Sequence, residues 1–344
     1  MNDEKMNDII MVSISCLVYN HEKYLRQCLD GFVNQKTTFK FEVLIHDDAS
    51  TDGSANIIRE YEKNYPEIIK PIYQKENQYS KKIKISWKYQ YPRAKGKYIA
   101  LCEGDDYWTD PNKLQQQFDM MEKDNSISMC VHTVCYVGEN GKSMGKILPN
   151  PIGTNRIITS QDLIHGMMFE KFYPFQTSSY FFRTAVITNL DYQFPKFISI
   201  SSVGDITLLL LLGYYGKIGY IAKEMSCYRV MSENSWSSRV TTNNEKLAEH
   251  LNNSIKMLSE YDEYTNHIFN KDISERINKF GFDIRYLRYQ YSELKKEPYK
   301  KYYNKLSRKR KIYVFAHAKV PFALKIYQRI KGNKDLDDNV IGDR

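Results

Sequence analysis

Two acidic clusters hold the residue types best suited to chemistry in this chain of 344 residues. The first, Asp47-Asp48-Ala49-Ser50-Thr51-Asp52-Gly53-Ser54, follows the apolar run Phe41–Ile45 and His46. The second, Glu103-Gly104-Asp105-Asp106, follows KYIALC (Lys97–Cys102). Like charges this close repel, so a partner that offsets the repulsion is expected. Hard Mg²⁺ or Mn²⁺ prefers carboxylate oxygen, and it commonly keeps one or two protein carboxylates beside substrate phosphates. Turn and cap residues could account for Asp47–Ser54 on structural grounds alone. They account less well for Glu103–Asp106, because Asp110 already supplies a cap before Pro111 at the expected start of a helix. The four isolated histidines His21, His46, His132 and His165 show no ligand spacing and read as structural.

The elements around the clusters alternate. Met11–Val18 and Phe41–Ile45 read as buried strands, as do Ile69–Tyr73 and Lys97–Cys102. Between them, His21–Asn34 carries Tyr24, Leu25, Cys28, Leu29 and Phe32 on one helical face, with Asn20 as its cap. Asp52–Asn64 forms a second helix. This order predicts an α/β fold, a parallel sheet with helices on both faces. In such sheets ligands bind beyond the carboxyl ends of the strands, where both acidic clusters lie. Farther along, Met129–Val137, Gln176–Arg183 and Lys217–Ala222 read as strands. Asp205–Tyr215 reads as a helix apolar nearly all round, Tyr228–Ser238 as a polar loop, and the chain beyond Thr241 as helical.

Composition narrows the class. The six cysteines are scattered without a CxxC pair and sit in apolar neighbourhoods, which reads as free thiols in a reducing cytosolic compartment and no zinc site. The longest apolar run, Ile206–Leu212, is far short of the ~20 residues that span a bilayer, and the polar start shows no secretory signal. The net charge of +9 is concentrated late: Pro298–Lys334 contains no Asp or Glu. Its lysines and arginines interleave with Tyr302, Tyr303, Ile312, Tyr313 and Phe315, a pattern suited to an anionic membrane surface or to packing on the rest of the chain.

The segments VSISCLVYNHEKYLRQCLDGFVNQ, FEVLIHDDASTDGS, AKGKYIALCEGDDYWTDPNKL and SVGDITLLLLLGYYGKIGYI occur in this order. Together they resemble the family-2 glycosyltransferases of the GT-A fold, in particular bacterial enzymes of surface-polysaccharide assembly. The resemblance covers roughly Val12 to Trp236. It implies a GT-A domain over residues 9–235 (Rossmann-like, mostly parallel sheet) and a basic, Tyr-rich α-helical extension over 236–344.

The resemblance also implies roles. Leu17, Tyr19 and Asn20 match positions lining the base and ribose of a nucleotide-sugar donor, and Tyr19 could stack on the base. Asp48 matches a carboxylate that accepts a hydrogen bond from the base, with Asp47 holding the loop or touching ribose. In the DXD-type motif, Glu103 stands where Asp is usual. Asp105 and Asp106 match the residues touching ribose-diphosphate and a Mg²⁺ or Mn²⁺ ion. Asp205 matches the carboxylate that deprotonates the acceptor hydroxyl, although a helix N-cap explains it too. Arg229 and Trp236 are candidate contacts to diphosphate or acceptor, and Gln176–Ser179 could line the acceptor site. The implied activity is inverting transfer from a nucleotide-diphosphate donor, UDP-linked in this reading, to a glycan or lipid-linked acceptor. The chain would sit in the cytoplasm, peripheral to the inner membrane face where the tail engages it.

Two rival classes use some of the same features. A phosphoacceptor receiver domain gathers acids at a sheet edge but leaves the downstream motifs unexplained. A non-catalytic nucleotide- or nucleic-acid-binding protein could use the basic tail, but the acidic edge of the main domain would repel nucleic acid.

Overall fold

The computed structural model describes residues 9–150, 153–172, 174–190, 194–201, 203–230 and 243–320. The chain packs as two units. The first comprises Met1–Leu163, Tyr173–Gln193 and Gly204–Ser232. The second takes Ile164–Phe172, Phe194–Val203 and Glu233–Arg344, and so draws in two short segments from within the span 9–235.

The first unit opens as β1 (Ile10–Val18), α1 (Glu22–Val33), β2 (Lys40–Asp47), α2 (Ser54–Asn64), β3 (Ile69–Tyr73), β4 (Tyr98–Leu101) and β5 (Tyr107–Trp108). It continues with α3 (Lys113–Lys123), β6 (Ile127–Gly138), β7 (Ser143–Leu148), β8 (Arg156–Ile158) and α4 (Ser160–Phe169), which runs across the boundary between the units. β9 (Phe181–Arg183) and α5 (Thr184–Thr188) follow. After α6 (Lys196–Ile200) of the second unit come α7 (Gly204–Tyr215) and β10 (Lys217–Val230).

The ten strands form one sheet in the order β3-β2-β1-β4-β9-β6-β10-β5, with β7 on β6 and β8 on β10. β3, β2, β1 and β4 are mutually parallel, so the ends of β2 and β4 leave the same edge on either side of β1. That is the geometry the alternating pattern predicts. The far half differs, because β9 runs antiparallel between β4 and β6 and makes the sheet mixed.

The central strands β1, β2, β4 and β6 are buried along most of their length, as a covered sheet requires, whereas β7 and β8 lie exposed at the periphery. In β1, Val12, Ile14, Cys16 and Val18 join the main core, while Ser13 and Ser15 are also buried. Burying Ser13 needs a partner. Its hydroxyl donates to Glu42 Oε1 at 2.7 Å and accepts the Gly96 N–H at 2.9 Å. α1 covers β1 with the face read from its spacing, and Phe32 meets Trp108 at 4.8 Å. α7 is apolar all round, and Ile206–Gly213 is buried throughout.

Three local readings change. α1 starts at Glu22 with no side-chain cap, because Asn20 adopts φ 58° and turns its Oδ1 to the Thr51 N–H at 2.8 Å. α3 starts at Lys113, after Asp110 Oδ1 accepts the Asn112 N–H at 2.8 Å in a turn that precedes the helix. Cys135 and Cys227, opposite each other on β6 and β10, are joined as a disulfide, and the other four cysteines are buried free thiols. None of the described helices is long and apolar enough to cross a membrane.

Between residues 243 and 320 the second unit is helical: α8 (Asn244–Tyr264), α9 (Asn270–Leu287), α10 (Tyr291–Leu294), α11 (Lys300–Lys305) and α12 (Arg308–Lys319).

Candidate active site

β4 ends because its chain must pass beneath α1. Cys102 N–H bonds to Ser15 O at 3.2 Å and Gly104 N–H to Leu17 O at 3.0 Å, which fixes the acidic loop against the end of β1. Only glycine fits at 104, since a Cβ there would lie 2.8 Å from His21 Nδ1 and 3.0 Å from Val18 Cγ2. The backbone of Leu17 thus serves as a brace for the loop. Asp105 keeps about a fifth of its side chain exposed and lies 3.9 Å from His21 Nε2.

Asp106 is buried, and its Oδ1 accepts the Arg229 N–H at 2.8 Å. Burial first, then the charge of Asp105, pushes its carboxyl well above the usual range. Glu103 is open to solvent but crowded by protein, and desolvation followed by the charges of Asp105 and Asp205 pushes it up to about 8. Water reaching Glu103 screens those charges and limits the effect. Four carboxylates from two distant segments therefore share one electrostatic neighbourhood.

Asp205 lies half-buried in the first turn of α7. Its Oδ1 accepts the Ile206 N–H at 2.8 Å, and its Oδ2 accepts the Thr177 hydroxyl at 3.2 Å. Thr177 belongs to the QTSS stretch noted in the sequence as a candidate acceptor lining, but its contact with Asp205 is visible only in three dimensions.

The nucleotide-side residues occupy the ends of β1 and β2. Tyr19 is 45% exposed, Leu17 half-buried, and Asn20 exposed. Asp47 is buried and holds its own loop, accepting the Ser50 N–H at 3.4 Å and, through its carbonyl, Gln74 N–H at 2.9 Å. Asp48 is also buried, with Gln78 N–H on Oδ1 at 2.7 Å and Tyr79 N–H on Oδ2 at 3.0 Å. The carboxylate expected to meet a base is thus bonded to the backbone of the following loop. Beside it, His46 Nε2 lies 3.5 Å from Asp48 Oδ1, and burial lowers the His46 pKa.

Arg229 does not present a free guanidinium. It lies on β10, which runs to Val230 rather than stopping near Ala222 as the sequence pattern suggests. The side chain is buried and donates to Asp105 O at 3.0 Å, Glu139 O at 3.0 Å and Gln27 Oε1 at 3.0 Å, while covering the Tyr24 ring at 4.5 Å. Arg229, a candidate contact to diphosphate or acceptor, clamps the acidic loop in this structure. Trp236 lies outside the described residues.

A buried cation that the sequence reading overlooked lies behind the loop. Lys113 Nζ stands 3.9 Å over the Trp108 ring and donates to Gln117 Oε1 at 2.7 Å. Burial pushes it down to about 7 from an ordinary 10.5. Between those values the unfolded chain binds the proton and the folded chain does not. Stability therefore rises with pH across this window, by up to about 1.4 kcal/mol per pH unit. In Lys113→Met that slope should vanish, which urea midpoints at about pH 7.5 and 9.5 would read. An unchanged slope would place the titration elsewhere.

The donor set suits a divalent cation held openly. Asp105 and Asp106 supply hard oxygens in a loop that also carries Glu103, with Arg229 as the cation clamped on it. Among the described residues no three His, Cys, Asp or Glu side chains gather closely enough to cage an ion. Further ligands would have to come from a bound phosphate or water.

Comparison with known proteins agrees with this architecture. The family model for glycosyl transferase family 2 matches residues 13–188, just over half of the chain. The putative glycosyltransferase EpsE of Bacillus subtilis is 28% identical over 172 residues, 50% of this chain and 60% of that protein. A chondroitin synthase of Escherichia coli is 30% identical over 251 residues, 72% of this chain and 33% of that one. An uncharacterized Mycobacterium tuberculosis protein is 41% identical over 138 residues, 40% of this chain and 39% of its own. The matches thus span between a third and three fifths of these curated relatives. Among solved structures, Staphylococcus aureus TarS in complex with UDP-GlcNAc shares the fold with a TM-score of 0.55 at 17% identity, over 90% of this chain and 81% of that chain. With the family motifs falling on one edge of the sheet, the chain belongs to glycosyl transferase family 2.

Proposed function

We propose that the chain transfers a sugar from a nucleotide-diphosphate donor, UDP-linked, to a hydroxyl of a glycan or lipid-linked acceptor. One observation carries this reading. Asp205, from the start of α7, and the Glu103–Asp106 loop, from the end of β4, bring their carboxylates within electrostatic reach of one another. One acid can then handle a proton while others handle a phosphate-bound cation. The UDP-GlcNAc bound by a fold neighbour guides the choice of donor.

In this mechanism Tyr19, Leu17 and Asn20 line the nucleoside, and Asp47 and Asp48 hold the loops around it. Mg²⁺ or Mn²⁺ bound at Asp105 and Asp106 would neutralise the diphosphate as it leaves. Asp205 takes the proton from the acceptor hydroxyl while that oxygen bonds to the anomeric carbon. The sugar–phosphate bond breaks with its electron pair going to the diphosphate. A single displacement of this kind inverts the anomeric centre. Thr177 and the Ile206 N–H hold the Asp205 carboxylate in place. The reading places the chain in the cytoplasm, at the inner membrane face where the acceptor is lipid-linked.

A thermal-shift screen of UDP-, GDP- and dTDP-sugars with Mn²⁺ tests this proposal. A rise in melting temperature that needs both nucleotide and metal is expected, largest for a UDP-sugar. If none of the three shifts it, the donor reading fails.

A further inference from the structure

Helix α12 carries large apolar side chains on its outer side. Its inner side is anchored by Val314, fully buried in a small core with Phe282, Tyr286 and Leu294. At about 100° per residue, Arg308, Ile312, Phe315 and Lys319 fall together on the opposite side. Ile312 is 67% exposed and Phe315 44%, although one edge of the Phe315 ring meets Tyr291 at 5.2 Å. Val320, just past the helix, is 47% exposed. Exposed cations flank this apolar strip along the helix, Arg308 and Lys309 at one end and Lys319 at the other. No Asp or Glu interrupts the sequence from Pro298 to Lys334, which holds twelve lysines and arginines.

Charge and shape together select the partner. A nucleic acid would answer the cations, but Phe315 is the single ring of the strip, and it already packs against Tyr291, which leaves little for successive bases to stack on. An acidic protein would leave the choice of apolar centre unexplained. An anionic bilayer answers both, since its phosphates meet the cations while its acyl boundary takes Ile312 and Phe315. We propose that the outer face of α12 docks this protein on an anionic membrane surface. The inference stands on the second unit alone and does not depend on the donor reading.

The full chain would be sedimented with vesicles of phosphatidylcholine, and separately with vesicles of phosphatidylcholine and phosphatidylglycerol. Binding is expected only to the second, weakening with salt. A chain of net charge +9 meets any anionic surface to some degree, so the apolar strip is the decisive part. Ile312→Ser with Phe315→Ser should lower affinity for the anionic vesicles roughly tenfold or more. Arg308→Glu with Lys309→Glu should weaken binding by about fivefold per cation removed, or more. Both pairs lie outside the core, and an unchanged melting temperature would show that the fold is kept. If the serine pair misfolds, the glutamate pair decides. Undiminished binding by a folded variant, absence of binding to anionic vesicles, or tighter binding to a short RNA through the same side chains would overturn the proposal.

Discussion

An Asp205→Asn protein is expected to bind a UDP-sugar as the unaltered chain does, yet transfer it about 10²–10⁴-fold more slowly. The amide keeps the size of the side chain: its Oδ1 can still accept the Ile206 N–H, and its Nδ2 can donate to the Thr177 oxygen once that hydroxyl turns from donor to acceptor, so α7 should start where it does now. What it cannot do is take a proton from an attacking hydroxyl. The bland alternative, a helix cap, predicts the reverse pattern. Asparagine caps about as well as aspartate, so turnover would stay put and at most stability would shift. Single-turnover rates with saturating donor separate the two, and unchanged turnover would exclude Asp205 as the base.

The second large effect concerns the loop beyond β4. Asp105→Ala should abolish the metal-dependent part of donor binding and lower turnover by about 10²–10³-fold. Affinity for the bare nucleoside should be unaffected. Asp105 is the better residue to change because it is partly exposed, whereas Asp106 is buried and fixed to β10 through the Arg229 N–H. Removing a carboxylate from this crowd also relieves repulsion, so the variant should be no less stable than its parent. Titrations of uridine and of UDP, each with and without Mn²⁺, would read the difference. If UDP binds Asp105→Ala as tightly as the parent in the presence of metal, the ion is not held at this loop.

Much of the first hundred residues was legible from pattern alone. β-branched apolar runs broken by helical faces admit little but parallel strands, and that is enough to bring the ends of β2 and β4 to one edge. The acidic loop was legible because charge crowding is written into consecutive residues. Less visible were features that depend on partners far apart in sequence. Lys223 and Glu224 interrupt the apolar run of β10, so the pattern ends it early, but both are exposed and the strand continues past them with its register against β6 shifted there. That error hid the role of Arg229, which needs the strand to reach the acidic loop. The pairing of Cys135 with Cys227 follows from strand neighbours that no spacing rule encodes. Asn20 looked like a cap by type, but a left-handed turn suits asparagine equally, and Ser50 Oγ accepts its N–H at 3.0 Å to hold that turn.

The clamp on the acidic loop has a consequence for the order in which the protein matures on the ribosome. Strands β1 to β4 are complete once residue 101 has emerged, and four neighbours of the sheet can then pair in parallel. Asp106 must wait for the backbone N–H of Arg229, and the Trp108 strand for Ser226 and Cys227. At ~5–20 residues per second, that later segment arrives roughly 6–25 s afterwards. A nascent chain halted between these points would hold the acidic loop against β1 but leave the Asp106 carboxylate without its β10 partner. On the proposed function, competence to bind and competence to react would therefore be acquired at separate moments of synthesis.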